Sequence, residues 1–273
     1  MSELQKRILF AIPAAILFIY LTWLGGWYFK SFIIFIAFFV QQEMIRLLDG
    51  SGNPPDMLFP YSIGLWVMLF PVLPFAFEIG LLILLLFVTL QTFHQTEESI
   101  TQLSTTFFAA FYAPIGWLCL MLIRDMGTPE QGFLLTLSIM LMVWGSDIFA
   151  YFGGKTFGKH QLAPHISPNK TWEGFFSGYF GAFAGIALVL FAIPLASPLT
   201  LLQSLPFVLL VGTFGPVGDL IESKIKRKAK VKDSSTLLPG HGGFFDRFDA
   251  LILAAPAGYI YLKALEQLGY VAL

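Results

Sequence analysis

The sequence predicts an all-α integral membrane protein, a helical bundle of about nine transmembrane helices. Of its 273 residues, 56% are hydrophobic and only 12% are charged, and the mean hydropathy is +0.75. Such a composition is typical of membrane proteins and excludes an ordinary soluble domain. The apolar residues also form runs of about 20, the length that an α-helix needs to cross a bilayer. One cysteine, Cys119, excludes a disulfide within the chain.

Nine apolar runs follow one another along the chain. The first comes after Lys6 and Arg7 and resembles a signal peptide, but it continues to Trp27 without a cleavage site, so we predict a retained span. Prolines and Glu78 interrupt the third and fourth runs, which could form one kinked or re-entrant element and reduce the count to eight. The predicted spans are residues 8–28, 31–48, 57–76, 77–93, 104–123, 132–152, 174–195, 199–221 and 248–268.

The basic residues are unevenly divided between the two sides of the predicted bundle. With nine spans, the opposite side from the N-terminus holds only Lys30, Arg124 and Lys263, and the other thirteen of the 16 basic residues lie on the N-terminal side. That side includes the two long polar linkers, residues 153–173 and 222–247. The positive-inside rule therefore predicts that both linkers face the cytoplasm.

Four aspartates lie at the predicted cytoplasmic ends of three spans. Asp147 and Asp219 end the sixth and eighth, and Asp246 and Asp249 open the ninth. The last two could simply complement the dipole of a first helical turn, but Asp219 lies near a helix end, where the dipole disfavours an anion. Ionisable groups at membrane depth normally face a cavity or a partner. We therefore expect a hard divalent cation, with Mg²⁺ the natural candidate, held by two or three of these carboxylates.

A dense cationic run separates Asp219 from Asp246. Six of the ten residues in SKIKRKAKVK, residues 223–232, are Lys or Arg. Such a cluster can attract anionic lipid headgroups, but cations beside a carboxylate-bound metal also suit a polyanion such as a nucleoside triphosphate. The following PGHGGF, residues 239–244, places glycines around His241 before a helix start, where backbone N–H groups can bind an anion or simply form a tight turn.

The linker after the sixth run also combines glycines with lysines. Its GGKTFGK, residues 153–159, fits the P-loop spacing, but His160 replaces the Ser or Thr that should bind the metal, and a helix-length run precedes it. We therefore reject a P-loop and expect only a loop of glycines and lysines that can bind phosphate. In SPNKTWEG, residues 167–174, the Ser, Thr and Glu are typical of a helix start, so Glu173 could be only a cap partner.

Residues 223–249 resemble the long signature of phosphatidate cytidylyltransferases: S-x-I-K-R, four residues, K-D, leucines and a proline, then H-G-G-F-x-D-R-F-D. The blocks SDIFAYFGGKTFGKH and ISPNKTWEG are also similar to that family, and the N-terminal half is similar only in its spans. The resemblance implies a homodimeric membrane enzyme that converts CTP and phosphatidic acid into CDP-diacylglycerol and pyrophosphate with Mg²⁺, at the inner membrane and without a nucleic-acid partner. It further implies that residues 1–131 are a dimerisation and lipid-facing scaffold and that residues 132–273 carry the catalytic loops.

The site residues that follow from the resemblance and the motifs fall into three groups. The predicted metal ligands are Asp219, Asp246 and Asp249, which with Lys226 and Lys232 form the catalytic set. The predicted phosphate-binding residues are Arg227, Arg247, His241, Lys155, Lys159, Lys170, Thr171 and Ser223. Asp147, Asp233, Glu173, Ser167 and Asn169 have uncertain roles; relatives often have Lys at the position of Asn169, which leaves Lys170 as the safer phosphate ligand.

Three other functions fit parts of this pattern. A CTP-dependent lipid kinase of the polyprenol type would need the same ions but would attack the γ-phosphorus. A transporter would use Asp147 and the spans broken by Gly and Pro as its substrate path. A membrane scaffold would leave the aspartates without a metal, and the full signature argues against both non-enzymes.

Overall fold

The computed structural model describes residues 3–93, 99–192, 198–238, 240 and 242–272. Within these ranges the chain forms nine α-helices and one two-stranded antiparallel sheet. The elements are α1 (Glu3–Leu24), α2 (Gly26–Gly50), α3 (Phe59–Leu69), α4 (Ala76–Phe93), α5 (Ser99–Arg124), α6 (Pro129–Phe157), β1 (Gln161–Ala163), β2 (Ser167–Thr171), α7 (Trp172–Ala192), α8 (Leu201–Lys228) and α9 (Phe245–Gln267).

Six of the described helices are long and apolar enough to cross a membrane, namely α2 and α5 to α9. This confirms an all-α integral membrane protein. A helix occupies each of the nine predicted runs, but α3 has only 11 residues, and the apolar parts of α1 and α4 are also shorter than a span. The prolines explain the short α3, because Pro71 and Pro74 lie in the turn that separates it from α4. The expected count of nine membrane spans is therefore not matched by length.

Helices α6 and α7 pack closely because small residues face each other. A side chain on Gly145 would overlap the backbone of Gly181, and one on Gly181 would overlap the backbone of Gly145. Further along α6, a side chain on Gly153 would overlap Ser177 of α7. Small residues at such crossings allow the two backbones to approach, as is common between membrane helices.

Polar contacts define two opposite ends of the bundle. At one end, Arg124 donates to the carbonyl oxygens of Thr22 and Trp23 at the C-terminus of α1, and Lys30 forms an ion pair of 2.7 Å with Asp125. At the other end, which we call the site end, α2, α6 and α8 finish and α7 and α9 begin. The predicted functional residues lie at the site end or along the helices that lead to it.

Two helices extend beyond the predicted spans, and this corrects part of the sequence analysis. Helix α8 continues to Lys228, so Asp219 lies nine residues before its end and the dipole argument for Asp219 was wrong. Helix α6 continues to Phe157, so Gly153, Gly154 and Lys155 are helical and do not form a phosphate-embracing loop. Hydropathy marks where a helix leaves the apolar region, whereas the helix itself can continue through charged residues.

The linker between α6 and α7 contains a small sheet that the all-α prediction did not include. Strand β1 pairs with β2 in an antiparallel register, with Gln161 opposite Thr171 and Ala163 opposite Ser167. The hairpin returns the chain to the start of α7 and carries Lys170 toward α8, where it contacts Asp219.

Candidate active site

Three carboxylates from two helices converge near the site end. Oxygen atoms of Asp219 and Glu222 on α8 and of Asp249 on α9 all lie within 4.8 Å of one another. Residues three apart share a helix face, which explains why α8 supplies two of them. Helix α9 supplies the third because Gly218 has no side chain; a Cβ there would overlap the backbone oxygen of Asp249. We call Asp219, Glu222 and Asp249 the carboxylate group.

The chemistry of this group fits a hard divalent cation. Glu222 is 1% exposed, and its Oε1 has no hydrogen-bond partner in the described part of the chain. Carboxylates this close repel one another, and a buried oxygen without a partner is unfavourable, so the group favours a cation in addition to the lysines that contact it. Carboxylate oxygens are the ligands that Mg²⁺ prefers. The predicted ligands Asp219 and Asp249 are therefore brought together, with Glu222 as a third acid that the sequence analysis did not select.

Lys226 connects the carboxylate group to Asp246. Its Nζ lies 2.6 Å from Glu222 Oε2 and 2.6 Å from Asp246 Oδ1. The other oxygen of Asp246 accepts hydrogen bonds from Ser234 N, Ser234 Oγ and Gly243 N, each at 2.8 Å. Asp246 thus lies beside the carboxylate group and holds the turn before α9 as well as Lys226, and its predicted role as a metal ligand stays a prediction.

A polar cavity of about 460 Å³ opens next to this network. Its lining includes the two predicted cations Lys232 and Arg247, the uncertain acid Asp233, and the backbone of the glycine-containing turn. A concave site with a few convergent polar groups and a basic lining suits an anionic ligand. The lining residues are Lys232, Asp233, Ser235, Thr236, Leu238, Gly240, Gly242 and Arg247.

A second group of predicted residues approaches the carboxylate group from the α6–α7 side. Lys170 forms an ion pair of 2.5 Å with Asp219 Oδ2, and Ser223 Oγ donates to Asp219 Oδ1 over 3.2 Å. Asp147 of α6 lies close enough to Asp219, Lys170 and Arg247 to interact electrostatically with them. The fold therefore brings Asp147, Lys170 and Ser223 to the same site as the predicted metal ligands.

Arg227 joins the two linkers instead of entering the cavity. Its Nε donates to the carbonyl oxygen of Ile166 over 3.4 Å, and its Nη1 donates to that of Val231 over 3.2 Å. Through these contacts the end of α8 is tied to the hairpin between β1 and β2.

Two predicted residues near the start of α7, Thr171 and Glu173, have structural contacts in this conformation. Thr171 Oγ1 accepts a hydrogen bond from Gly174 N and so caps α7, as helix-start chemistry predicts. Glu173 accepts hydrogen bonds from the backbone of Lys159 and His160 and lies 2.6 Å from His160 Nδ1. Glu173 therefore does not act as the cap partner considered from the sequence; it holds the residues that directly follow α6.

The remaining predicted residues do not reach the carboxylate group. Ser167 and Asn169 lie in β2, Lys155 lies over the ring of Tyr151 at 6.0 Å, and the side chains of Lys155 and Lys159 are exposed. Within the residues that the structure describes, neither lysine forms an ion pair. His241 lies outside the described residues.

Two acids were missed from the sequence for different reasons: Glu222 of the carboxylate group, and Glu43, which accepts hydrogen bonds from Ser234 and from the start of α9. Glu222 carried a readable signal, since it is three residues after Asp219 and four before Lys226, but the eighth span was ended before it. Glu43 of α2 is a lone acid in an apolar run, and no nearby motif marks it. Its only available signal was that it is an ionisable residue inside a predicted membrane span, where such residues are usually functional.

Comparisons with known proteins agree with the chemistry of the site. The sequence matches the model of the Cytidylyltransferase family over residues 5–265. It is 35% identical over 268 residues to a phosphatidate cytidylyltransferase of Brucella abortus, covering 96% of this chain and 94% of the relative. It is 32% identical to the phosphatidate cytidylyltransferase of Bacillus subtilis over 273 residues, covering 96% and 98%. A chloroplastic phosphatidate cytidylyltransferase 4 of Arabidopsis thaliana is 32% identical over 294 residues, covering 96% of this chain and 74% of the relative.

Proposed function

This chain belongs to the cytidylyltransferase family, and we propose that its site end transfers the cytidylyl group of CTP to phosphatidate. The products are CDP-diacylglycerol and pyrophosphate. One observation carries the proposal: a carboxylate group suited to a divalent cation, a lysine network and a basic cavity all meet at one end of membrane helices. Both substrates are phosphate compounds, and the phosphatidate must be reached from the bilayer.

The cavity beside Lys232 and Arg247 is the candidate site for the CTP phosphates. Its volume of about 460 Å³ lies within the range usual for small-molecule pockets. The glycines of its turn allow an anion to approach the backbone closely. Lys232 and Arg247 would hold the phosphates as paired cations.

The carboxylate group would hold the metal ion. Asp219, Glu222 and Asp249 would be its protein ligands, and Asp246 remains a further candidate beyond Lys226. When bound there, Mg²⁺ would supply positive charge to the CTP phosphates and the developing pyrophosphate. Lys226 offsets the repulsion between Glu222 and Asp246 and holds both carboxylates in place, since its Nζ is 2.6 Å from an oxygen of each.

The reaction needs positioning more than proton transfer. A phosphate oxygen of phosphatidate forms a bond to the α-phosphorus of CTP, and the bond from that phosphorus to the bridging oxygen of the leaving pyrophosphate breaks. A phosphomonoester is largely dianionic near neutral pH, so no strong general base is required. Lys170, which lies on the α7 side of Asp219, would offset the charge of the lipid phosphate. Catalysis then comes from orientation and charge neutralisation.

We propose that the reaction takes place on the cytoplasmic side of the membrane. Thirteen of the 16 basic residues lie in loops or helix ends on the side of the long linkers, which supports a site that faces the cytoplasm. Phosphatidate would enter sideways from that leaflet, with its acyl chains among the helices. We further propose that the protein works as a homodimer in the inner membrane.

A detergent assay with labelled CTP tests the proposed reaction. The purified protein is incubated with phosphatidate, Mg²⁺ and CTP labelled at either the α- or the γ-phosphorus. A cytidylyltransferase transfers the α-label to the lipid, whereas a CTP-dependent lipid kinase transfers the γ-label. Activity that requires a sealed vesicle would instead support a transporter, and no label in the lipid would contradict both enzymes.

A matched pair of variants tests the metal assignment in the same assay. Asp219→Asn keeps the size of the side chain but removes a charged ligand, so we expect loss of Mg²⁺-dependent turnover. Asp56→Asn is the control, because Asp56 is not part of the carboxylate group and accepts backbone hydrogen bonds at the start of α3. Near-normal turnover and unchanged Mg²⁺ dependence of the Asp219 variant would contradict the assignment.

A further inference from the structure

Glu43 is a fully buried acid in the N-terminal half of the chain that reaches the opposite half. It lies on α2, is 0% exposed, and accepts four hydrogen bonds from residues that are about 200 positions away. The donors are Ser234 Oγ at 2.7 Å, Ser235 Oγ at 2.6 Å, Phe244 N at 3.1 Å and Phe245 N at 2.8 Å. In the described part of the chain it has no ion-pair partner, so these donors stabilise its charge.

Two of these donors belong to the start of α9. The N-cap residue of α9, Phe244, provides no side-chain cap, so the first N–H groups of the helix need another acceptor. Glu43 is that acceptor, because it receives Phe244 N and Phe245 N through its two carboxylate oxygens. An anion at a helix N-terminus is also favoured by the helix dipole. Helix α2 therefore fixes where α9 begins.

Ser234 extends this contact to Asp246. Its Oγ lies 2.7 Å from Glu43 Oε2 and 2.8 Å from Asp246 Oδ2, so the two carboxylates share the one proton of this hydroxyl group. The packing leaves no spare room, since a Cβ on Gly243 would overlap both Ser234 Oγ and the carboxylate of Glu43. A shift of Glu43 would therefore move Ser234 and Gly243, which both donate to Asp246.

We propose that Glu43 is a positioning residue for the nucleotide site, acting through Ser234 and the first turn of α9 on Asp246, Lys226 and the cavity lining. The proposal rests on the proposed function, because the cavity is the candidate CTP site. It assigns the N-terminal half a direct part in the geometry of the reaction, in addition to its expected role as a scaffold. The chain of contacts runs from Glu43 to Ser234, Asp246 and Lys226.

The test replaces Glu43 with Gln and measures steady-state kinetics for CTP and phosphatidate separately. The amide has one acceptor oxygen, so it cannot receive both pairs of donors. We expect kcat/KM for CTP to fall by about 10- to 100-fold, since small misplacements of binding groups have effects of this order. The KM for phosphatidate should change less than twofold, because Lys170 and the hairpin do not contact Glu43.

Two further measurements separate positioning from general loss of stability. Hydrogen exchange should become faster at Phe244 and Phe245 in the Glu43→Gln protein, a readout that does not depend on activity. Gln41→Ala is the matched control, because Gln41 is a buried polar residue on the same helix whose Nε2 donates to the carbonyl oxygens of Pro60 and Ala109. It should lower thermal stability but leave kcat/KM for CTP within twofold.

A double-mutant cycle tests the route through Ser234. If Glu43 acts through Ser234, Ser234→Ala should reduce kcat/KM in the wild-type background and add little in the Glu43→Gln background. Independent, multiplicative effects would overturn the route. Wild-type kcat/KM in Glu43→Gln, or a loss matched by Gln41→Ala at equal loss of stability, would overturn the positioning role. If the wild-type protein itself makes no CDP-diacylglycerol, the proposed function fails instead.

Discussion

Lys226 is the residue on which the charge balance of the site depends most. It is 9% exposed and lies within 2.6 Å of both Glu222 and Asp246, two acids that are themselves buried. The side chains of Glu222 and Asp246 are 1% and 5% exposed, so neither can rely on water for stabilisation. A buried cation between two buried anions is held in place by their combined attraction, and its removal leaves both anions uncompensated.

Replacing Lys226 with Met should therefore destabilise the fold as well as abolish activity. We expect a loss of about 3–5 kcal/mol, the usual cost of removing one partner from a buried ion pair. Thermal unfolding in detergent measures this effect. Lys224→Met is the control, because Lys224 is exposed one position from the network and its loss should change stability by no more than about 0.5 kcal/mol. Equal unfolding temperatures for the two variants would contradict a buried bridging role.

At the scale of elements, the crossing of α8 and α9 builds the carboxylate group. Helix α8 presents Asp219 and Glu222 on one face, and α9 brings Asp249 against it where Gly218 leaves room for the backbone. Because α8 extends to Lys228, the same face also carries Lys226 one turn further along. The spacing of these groups is thus set by helix periodicity and by one close approach.

Gly218→Ala should separate the two helices, whereas Gly215→Ala should be tolerated. A Cβ at Gly218 would overlap the backbone oxygen of Asp249, but at Gly215 it would meet only Ala250 Cβ at 3.9 Å. Overpacking of this kind typically costs about 1–3 kcal/mol. Alanine gains about 1 kcal/mol in helix propensity over glycine, and at Gly215 contact of the new Cβ with the ring of Pro216 offsets part of this gain.

Thermal unfolding and turnover measured together would test this pair. The Gly218 variant should lose both stability and activity, since Asp249 would move away from Asp219. The Gly215 variant should keep wild-type turnover and equal or exceed wild-type stability. A Gly218 variant with normal turnover would show that the close approach is not needed for the carboxylate group.

At the scale of the whole molecule, the two ends of the bundle have different polar structure. The far end is closed by Arg124, which donates to the ends of neighbouring helices, and by the ion pair between Lys30 and Asp125. The site end carries the long basic linkers, the cavity and the carboxylate group. This difference between the two ends agrees with the uneven distribution of the basic residues and with a single candidate site at one end.

Cysteine labelling in membrane vesicles tests which end faces the cytoplasm. In a background where Cys119 is replaced by Ala, Lys228→Cys marks the site end and Glu130→Cys marks the start of α6 at the far end; both positions are exposed. A membrane-impermeant maleimide should label the Lys228 variant only in inverted vesicles. It should label the Glu130 variant only in right-side-out vesicles, and the reverse pattern would contradict a cytoplasmic site.

From the sequence alone we predicted the membrane class, the approximate positions of the nine described helices and many of the residues that meet at the candidate site. Composition and apolar run length are local properties, and the signature from Ser223 to Asp249 placed acids and cations close together along the chain. Asp249 was predicted within this signature, Asp219 at the end of the eighth apolar run and Lys170 in the SPNKTWEG block, and the structure brings the three together. These residues could be found because their motif concentrates them within a short stretch or marks them with glycine and lysine.

The packing of the helices determines which acids lie together at the candidate site and which residues contact them. It placed Glu222 with Asp219 and Asp249, because α8 continues past the apolar run that hydropathy can detect. It also brought Glu43 to the start of α9 across about 200 residues of chain. Contacts between residues so far apart in the sequence depend on how the helices pack. The sequence around a lone acid in an apolar run does not indicate which residues it will contact.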